Sequence, residues 1–203
     1  MKRLLIRRNI KKQQRIYSAL FAHYNDRLES LHWSTYESQV TRFEQFLKVG
    51  DLNGAKVLDI GCGFGDFYGF LQQHKISTRY LGVDITSQFI GVAQKRYLSA
   101  RFWHRDILTL PISESFDYVF ASGVFAFGSQ LFFQELSRAA YRLANVAWVF
   151  NLYEPSGKDS RFFAIKRAET EAFLLSLQPQ KICMIDNYLE RDLTYIVYKV
   201  YRQ

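Results

Sequence analysis

The sequence predicts one doubly wound α/β domain with a helical N-terminal extension, and three observations lead to it. Strand-like and helical runs alternate through roughly 100 residues, the pattern of βαβ units on a parallel sheet. The first such strand, Ala55-Lys56-Val57-Leu58-Asp59-Ile60, closes on a turn with three alternating glycines, Gly61, Gly63 and Gly65. Near the end of the chain two strand-like runs, 181–185 and 194–201, have no helix between them and should pair antiparallel.

Taken in order, the chain opens on charge. Residues 1–15 hold Lys2, Arg3, Arg7, Arg8, Lys11, Lys12 and Arg15 and no acid. The whole chain has 27 Lys and Arg against 19 Asp and Glu, a net +8, so removing those seven leaves 20 against 19. The body is close to neutral and the basicity is an arm. A solvated helix is the plainer reading of such an arm; a basic helix lying on RNA or on an anionic membrane is the other. Residues 16–49 are polar but dotted with aromatics, with Val40, Phe43, Phe46 and Leu47 at helical spacing, and read as two helices broken near 31–34. Strands are then expected at 55–60, 79–83, 101–104, 116–121 and 146–152, and helices at 67–74, 86–99, 131–144 and 167–176, with a loop at 154–160. Residues 1–50 form a basic arm and helical cap over the site, and residues 51–203 the ligand-binding domain, within one domain overall.

Composition narrows the function classes. At 203 residues with 48% apolar and 23% charged residues, the chain can bury a full core without staples. Its two cysteines, Cys62 and Cys183, are too few for a disulfide framework, and no apolar run reaches the length of a membrane span. The arm lacks the apolar stretch of a signal peptide, so a cytoplasmic location is expected.

The informative segment is Val57-Leu58-Asp59-Ile60-Gly61-Cys62-Gly63-Phe64-Gly65-Asp66-Phe67. Glycines at a strand's carboxyl end let the backbone turn sharply and approach a ligand. A dinucleotide fingerprint needs Gly or Ala three positions after its second glycine, where this chain has Asp66, and a carboxylate there repels a pyrophosphate. That disfavours NAD and FAD and suits a cofactor with positive charge and no phosphate. Asp84 closes the second strand, placed to accept from both hydroxyls of a ribose. Asp106 follows the third, where it could accept from an adenine amino group.

These residues resemble the class I S-adenosylmethionine-dependent methyltransferases. Asp59-Ile60-Gly61-Cys62-Gly63-Phe64-Gly65 is similar to the family's first motif, and Asp84, Asp106-Ile107 and Phe116-Asp117-Tyr118-Val119 to its looser ones. The resemblance implies a Rossmann-like seven-stranded sheet in the order 3-2-1-4-5-7-6 with strand 7 antiparallel, and S-adenosyl-L-methionine as cofactor. It puts Asp59 and Gly61 beside the methionine moiety, Asp84 on the ribose, and Ile85 and Ile107 about the adenine; Cys62, Gly63, Gly65 and Ser122 join the cofactor-binding set. The flanks are similar to a bacterial group of small methyltransferases, mostly without an assigned substrate, through Trp33-Ser34, Gln39, Arg42, Phe43, Ala121-Ser122-Gly123-Val124-Phe125 and Asp192-Leu193-Thr194.

Methyl transfer asks the protein to align nucleophile, methyl and sulfur and to exclude water. An alcohol or amine acceptor also needs a base, for which His32 is the candidate; a carboxylate or thiolate does not. Arg42 is the expected partner of the cofactor's carboxylate, with Gln39 one turn earlier on the same face and Trp33 closing the pocket. No metal site is expected. After the fourth strand comes Ser122-Gly123-Val124-Phe125-Ala126-Phe127, without the Pro-Pro-aromatic motif of base amine methylation. The expected acceptor is a small molecule; an RNA-directed enzyme gripping through the arm, or a cofactor-binding domain without transfer activity, are the alternatives.

Overall fold

The computed structural model describes residues 1–155 and 161–199. Seven strands form one sheet in the order β3-β2-β1-β4-β5-β7-β6. Strands β1 (Lys56–Ile60), β2 (Arg79–Asp84), β3 (Arg101–His104), β4 (Phe116–Ala121) and β5 (Ala144–Tyr153) run parallel. Strand β7 (Asp192–Tyr198) is antiparallel between β5 and β6 (Lys181–Ile185), as expected for that pair. Part of the predicted loop, 156–160, and residues 200–201 of the predicted last strand lie outside the described residues.

Helices cover both faces because the strands are apolar on both. In β1, Val57 and Leu58 point opposite ways and both are fully buried, in different apolar clusters. One cluster joins Leu58, Trp148 and Phe150 to Phe133 and Leu136 of α5 (Gln130–Leu143); the other joins Val57 and Phe120 to Phe67 and Phe70 of α3 (Asp66–Gln73). Each such side chain contributes about 1.5–3 kcal/mol by leaving water. Helices α4 (Ser87–Arg96), with Thr86 at its N-cap position, and α6 (Arg167–Leu175) complete the layers, each near its expected place.

The extension differs from expectation. The basic arm is the first half of one helix, α1 (Lys2–Tyr24), and the break before α2 (Tyr36–Phe46) spans residues 25–35, wider than 31–34 and containing a short 3-10 turn, Leu28–Leu31. Thr35 Oγ1 caps α2 by accepting from Ser38 N at 3.1 Å. Nor is the arm simply solvated. Ile6, Ile10, Gln13 and Tyr17 recur four, three and four apart and lie on one side of the helix. Ile10 is buried in the same cluster as Leu136. Lys2 pairs with Glu135 of α5 at 2.8 Å, Gln14 Nε2 donates to Ile85 O just past β2 at 3.0 Å, and Tyr17 and Phe21 meet Phe89 of α4 edge-on. The helix thus crosses the carboxyl ends of the parallel strands.

Candidate functional site

Those carboxyl ends, α1 above them and the start of α2 enclose a cavity. Its floor is the turn after β1. Gly61 N and Cys62 N both donate to Val83 O at 2.7 and 3.1 Å, which stitches the turn to β2. Gly61 and Gly63 have φ of +72° and +55°, and a Cβ on them would meet Val124 Cγ2 at 2.3 Å and Leu31 Cδ2 at 2.9 Å. Gly65 serves a different end: it does not line the cavity, and a Cβ there would strike Phe102 and Tyr97, so it sets the packing between α3 and the sheet. The Cys62 thiol is buried, with its pKa pushed well up by that burial.

Four carboxylates line the cavity: Asp59, Asp66, Asp84 and Asp106. Asp59 is 3% exposed, and its Oδ2 accepts from Tyr80 Oη at 2.5 Å. Burial pushes its pKa up to about 7; the tyrosine bond opposes this and the nearby Asp84 and Asp66 add to it. Asp84 accepts from Gly63 N at 3.1 Å through Oδ2 and from Thr86 N at 2.7 Å through Oδ1, and these two amides offset the upward pull of burial. Each oxygen keeps a further lone pair for a ligand. Asp106 accepts from Leu108 N at 2.9 Å and Thr109 Oγ1 at 2.7 Å, so it builds its own turn as well as lining the cavity.

Ile85, Ile107, Ser122, Trp33 and Gln39 also line the cavity. Gln39 Nε2 donates to Asp66 Oδ2 at 3.1 Å, while its Oε1, buried on a residue 3% exposed, has no partner among the described residues. Ser122 accepts from Asn151 Nδ2 at 3.3 Å, and Asn151 Oδ1 accepts from Gly123 N at 2.8 Å, which fixes the turn after β4.

Two residues go elsewhere. Arg42, expected to meet a ligand carboxylate, forms a buried ion pair with Asp192, donates to Tyr153 Oη at 3.2 Å and Ser38 O at 3.2 Å, and lies over the Trp33 ring. Strand β7 starts at the sheet's active end because it runs antiparallel, and this puts Asp192 opposite Tyr153 and within reach. The pair sits in a smaller neighbouring hollow that shares Gly123 with the cavity. Burial pulls the Asp192 carboxyl upward and Arg42 pulls it back. His32, the candidate base, does not line the cavity: it is exposed, and its ring stands edge-on to Phe127 and Phe162 at 5.1 and 5.4 Å.

The sequence reading put residues 1–50 over the site as a cap without naming Ile10, Gln13 and Tyr17 of α1, or Phe132 and Leu136 of α5 beside them, as lining residues. The signal was present as the stripe Ile6, Ile10, Gln13, Tyr17 within the cationic run.

Residues 57–145 match a family model described as a methyltransferase domain. No curated protein is a significant match to the chain. Among solved structures, a magnesium protoporphyrin IX methyltransferase from Synechocystis PCC 6803 with bound SAH superposes with a TM-score of 0.66 at 16% identity, over 81% of this chain and 84% of that one. The DhpI–SAH complex does so with a TM-score of 0.70 at 16% identity over 98% of each chain. A methyltransferase from Clostridium acetobutylicum ATCC 824 gives 0.63 at 16% over 88% and 97%. These likenesses are of fold.

Proposed function

We propose that this chain, a class I S-adenosylmethionine-dependent methyltransferase by its motif and its sheet order, methylates a small-molecule acceptor taken into the cavity under α1. The observation that carries the reading is the roof. Ile10, Gln13 and Tyr17 close the space above the strand ends, so the acceptor has to fit beneath a helix rather than be gripped by a free arm. The division into a cap of residues 1–50 and a cofactor domain of residues 51–203 is part of this proposal.

The residues present fit the cofactor. Its ammonium needs acceptors, and Asp59 and the unpartnered Gln39 Oε1 supply them. Its ribose diol needs an acid anchored from behind, which Asp84 is. Its adenine suits the slot between Ile85 and Ile107, with Asp106 at the edge. Gly61 and Gly63, at positive φ, turn the backbone beneath the cavity with Val124 and Leu31 packed close. When bound, the cofactor supplies an electrophilic methyl on a sulfonium that departs as a neutral thioether. The chain's own part is to orient the two reactants and keep water out, through Tyr17, Trp33 and the Gly123 turn held by Asn151. Among the described lining residues there is no histidine.

The test is to incubate the protein with methyl-labelled cofactor and two fractions of a bacterial extract, metabolites below about 1 kDa and total RNA. Label in the low-mass fraction, lost with Asp84→Ala, supports the reading; label in RNA overturns it.

A further inference from the structure

Beyond methyl transfer, the outer face of α1 has a composition that the site does not use. Arg3, Arg7, Arg8, Lys11, Lys12 and Arg15 are all exposed, and none has an ion-pair partner among the described residues. No acid occurs before Asp26. Leu4 and Leu5 stand among these cations, 54% and 46% exposed. At about 100° per residue, Leu4, Leu5, Arg8, Lys11, Lys12 and Arg15 share an arc of about 120°. The opposite arc holds Ile6, Ile10, Gln13 and Tyr17, which face the core and the cavity.

A helix that only kept the protein in solution would mix acids with bases and would not hold out adjacent leucines. Phosphates of a nucleic acid would account for the cations and leave the leucines without a role. A bilayer with anionic headgroups accounts for both, since headgroups attract the cations while the leucines enter the boundary with the acyl chains. We propose that α1 docks this protein, by its outer face, on an anionic lipid surface. The helix then lies between that surface and the cavity it roofs.

The experiment is co-sedimentation of the full chain with vesicles of phosphatidylcholine, alone or with 30% phosphatidylglycerol, in low and in high salt. Two double variants accompany it, Arg8→Gln with Lys12→Gln and Leu4→Ser with Leu5→Ser; none of these residues lines the cavity. Unchanged SAH affinity and melting temperature show that each variant is folded. Expected are binding to the anionic vesicles that weakens with salt, a loss of about thirtyfold on neutralising the two cations, and a loss of several-fold with the serines. Failure to bind the anionic vesicles in low salt overturns the proposal, as does equal binding to both vesicle types. So does unchanged binding by the leucine variant, or tighter binding to a single-stranded RNA oligomer than to the vesicles. SAH binding and labelled transfer are read separately, so the docking proposal can fail while the enzymatic reading stands.

Discussion

The raised carboxyl of Asp59 should make affinity for the cofactor depend on pH. If Asp59 accepts the cofactor's ammonium, only the ionised carboxylate binds well. With its pKa near 7 in the free protein, the fraction ready to bind is about a tenth at pH 6 and nine-tenths at pH 8. The dissociation constant of S-adenosylhomocysteine should therefore rise about tenfold from pH 8 to pH 6, by calorimetric titration, and level off above pH 8. Asp59→Asn should bind weakly at every pH and lose the slope. Tyr80→Phe removes the hydroxyl that favours the ionised form, so its midpoint should lie above 7. The same shift acts on folding. An acid whose folded pKa lies above its unfolded value keeps its proton in the native state between about pH 4 and 7, so the native state loses stability as pH rises through that window. Asp59→Asn should therefore be the more stable protein at pH 8 when no ligand is present. An affinity that stays flat from pH 6 to 8, or a slope that survives in Asp59→Asn, would refute this account.

Other substitutions have separate readouts. Asp84→Ala removes the carboxylate expected to take two hydroxyls and should weaken S-adenosylhomocysteine by about a hundredfold or more in the same calorimeter, with NAD unbound by either protein. Gly61→Ala puts a side chain at φ +72° and against Val124; the backbone strain alone is about 1–2 kcal/mol, a fall in melting temperature of roughly 2–8 °C, and the ligand should be lost as well. Arg42→Leu leaves Asp192 charged, buried and unpaired, and should cost about 3–5 kcal/mol in denaturant unfolding; adding Asp192→Asn should recover most of that.

What the sequence allowed to be read was whatever is local. The strand, glycine turn and helix of residues 56–73 can be read because each residue there constrains its neighbours, and Asp84 follows at the end of the next strand for the same reason. The ends of α3, α4, α5 and α6 fall within a few residues of expectation because helix starts and stops are local signals too. The Arg42–Asp192 pair is not legible in the sequence, because Asp192 arrives from the other end of the chain through a strand whose direction matters more than its composition. The inner side of the arm is legible in its phase and not in its charge: Ile6, Ile10 and Tyr17 form a core-facing stripe whatever the cations around them. Gly65 looked like a third cradle residue, yet what crowds it is Phe102 and Tyr97, aromatic side chains more than 30 positions on.

The tie between α2 and β7 sets a schedule for the chain as it leaves the ribosome. Tyr198 donates to Val49 O at 3.1 Å across 149 positions, and Arg42 finds Asp192 over a similar span. At about 5–20 residues per second, strands β1 to β5 can pair seconds before β7 emerges. Until then β5 has an open edge, α2 has a buried cation with no counter-charge, and Trp33 has no anchored arginine to lean on. A chain halted before residue 190 would carry the glycine turn and Asp84 and still lack a fastened lid. It would also show a bare strand edge of the kind that aggregates. Competence to hold a ligand under cover is thus the last thing synthesis confers on this protein.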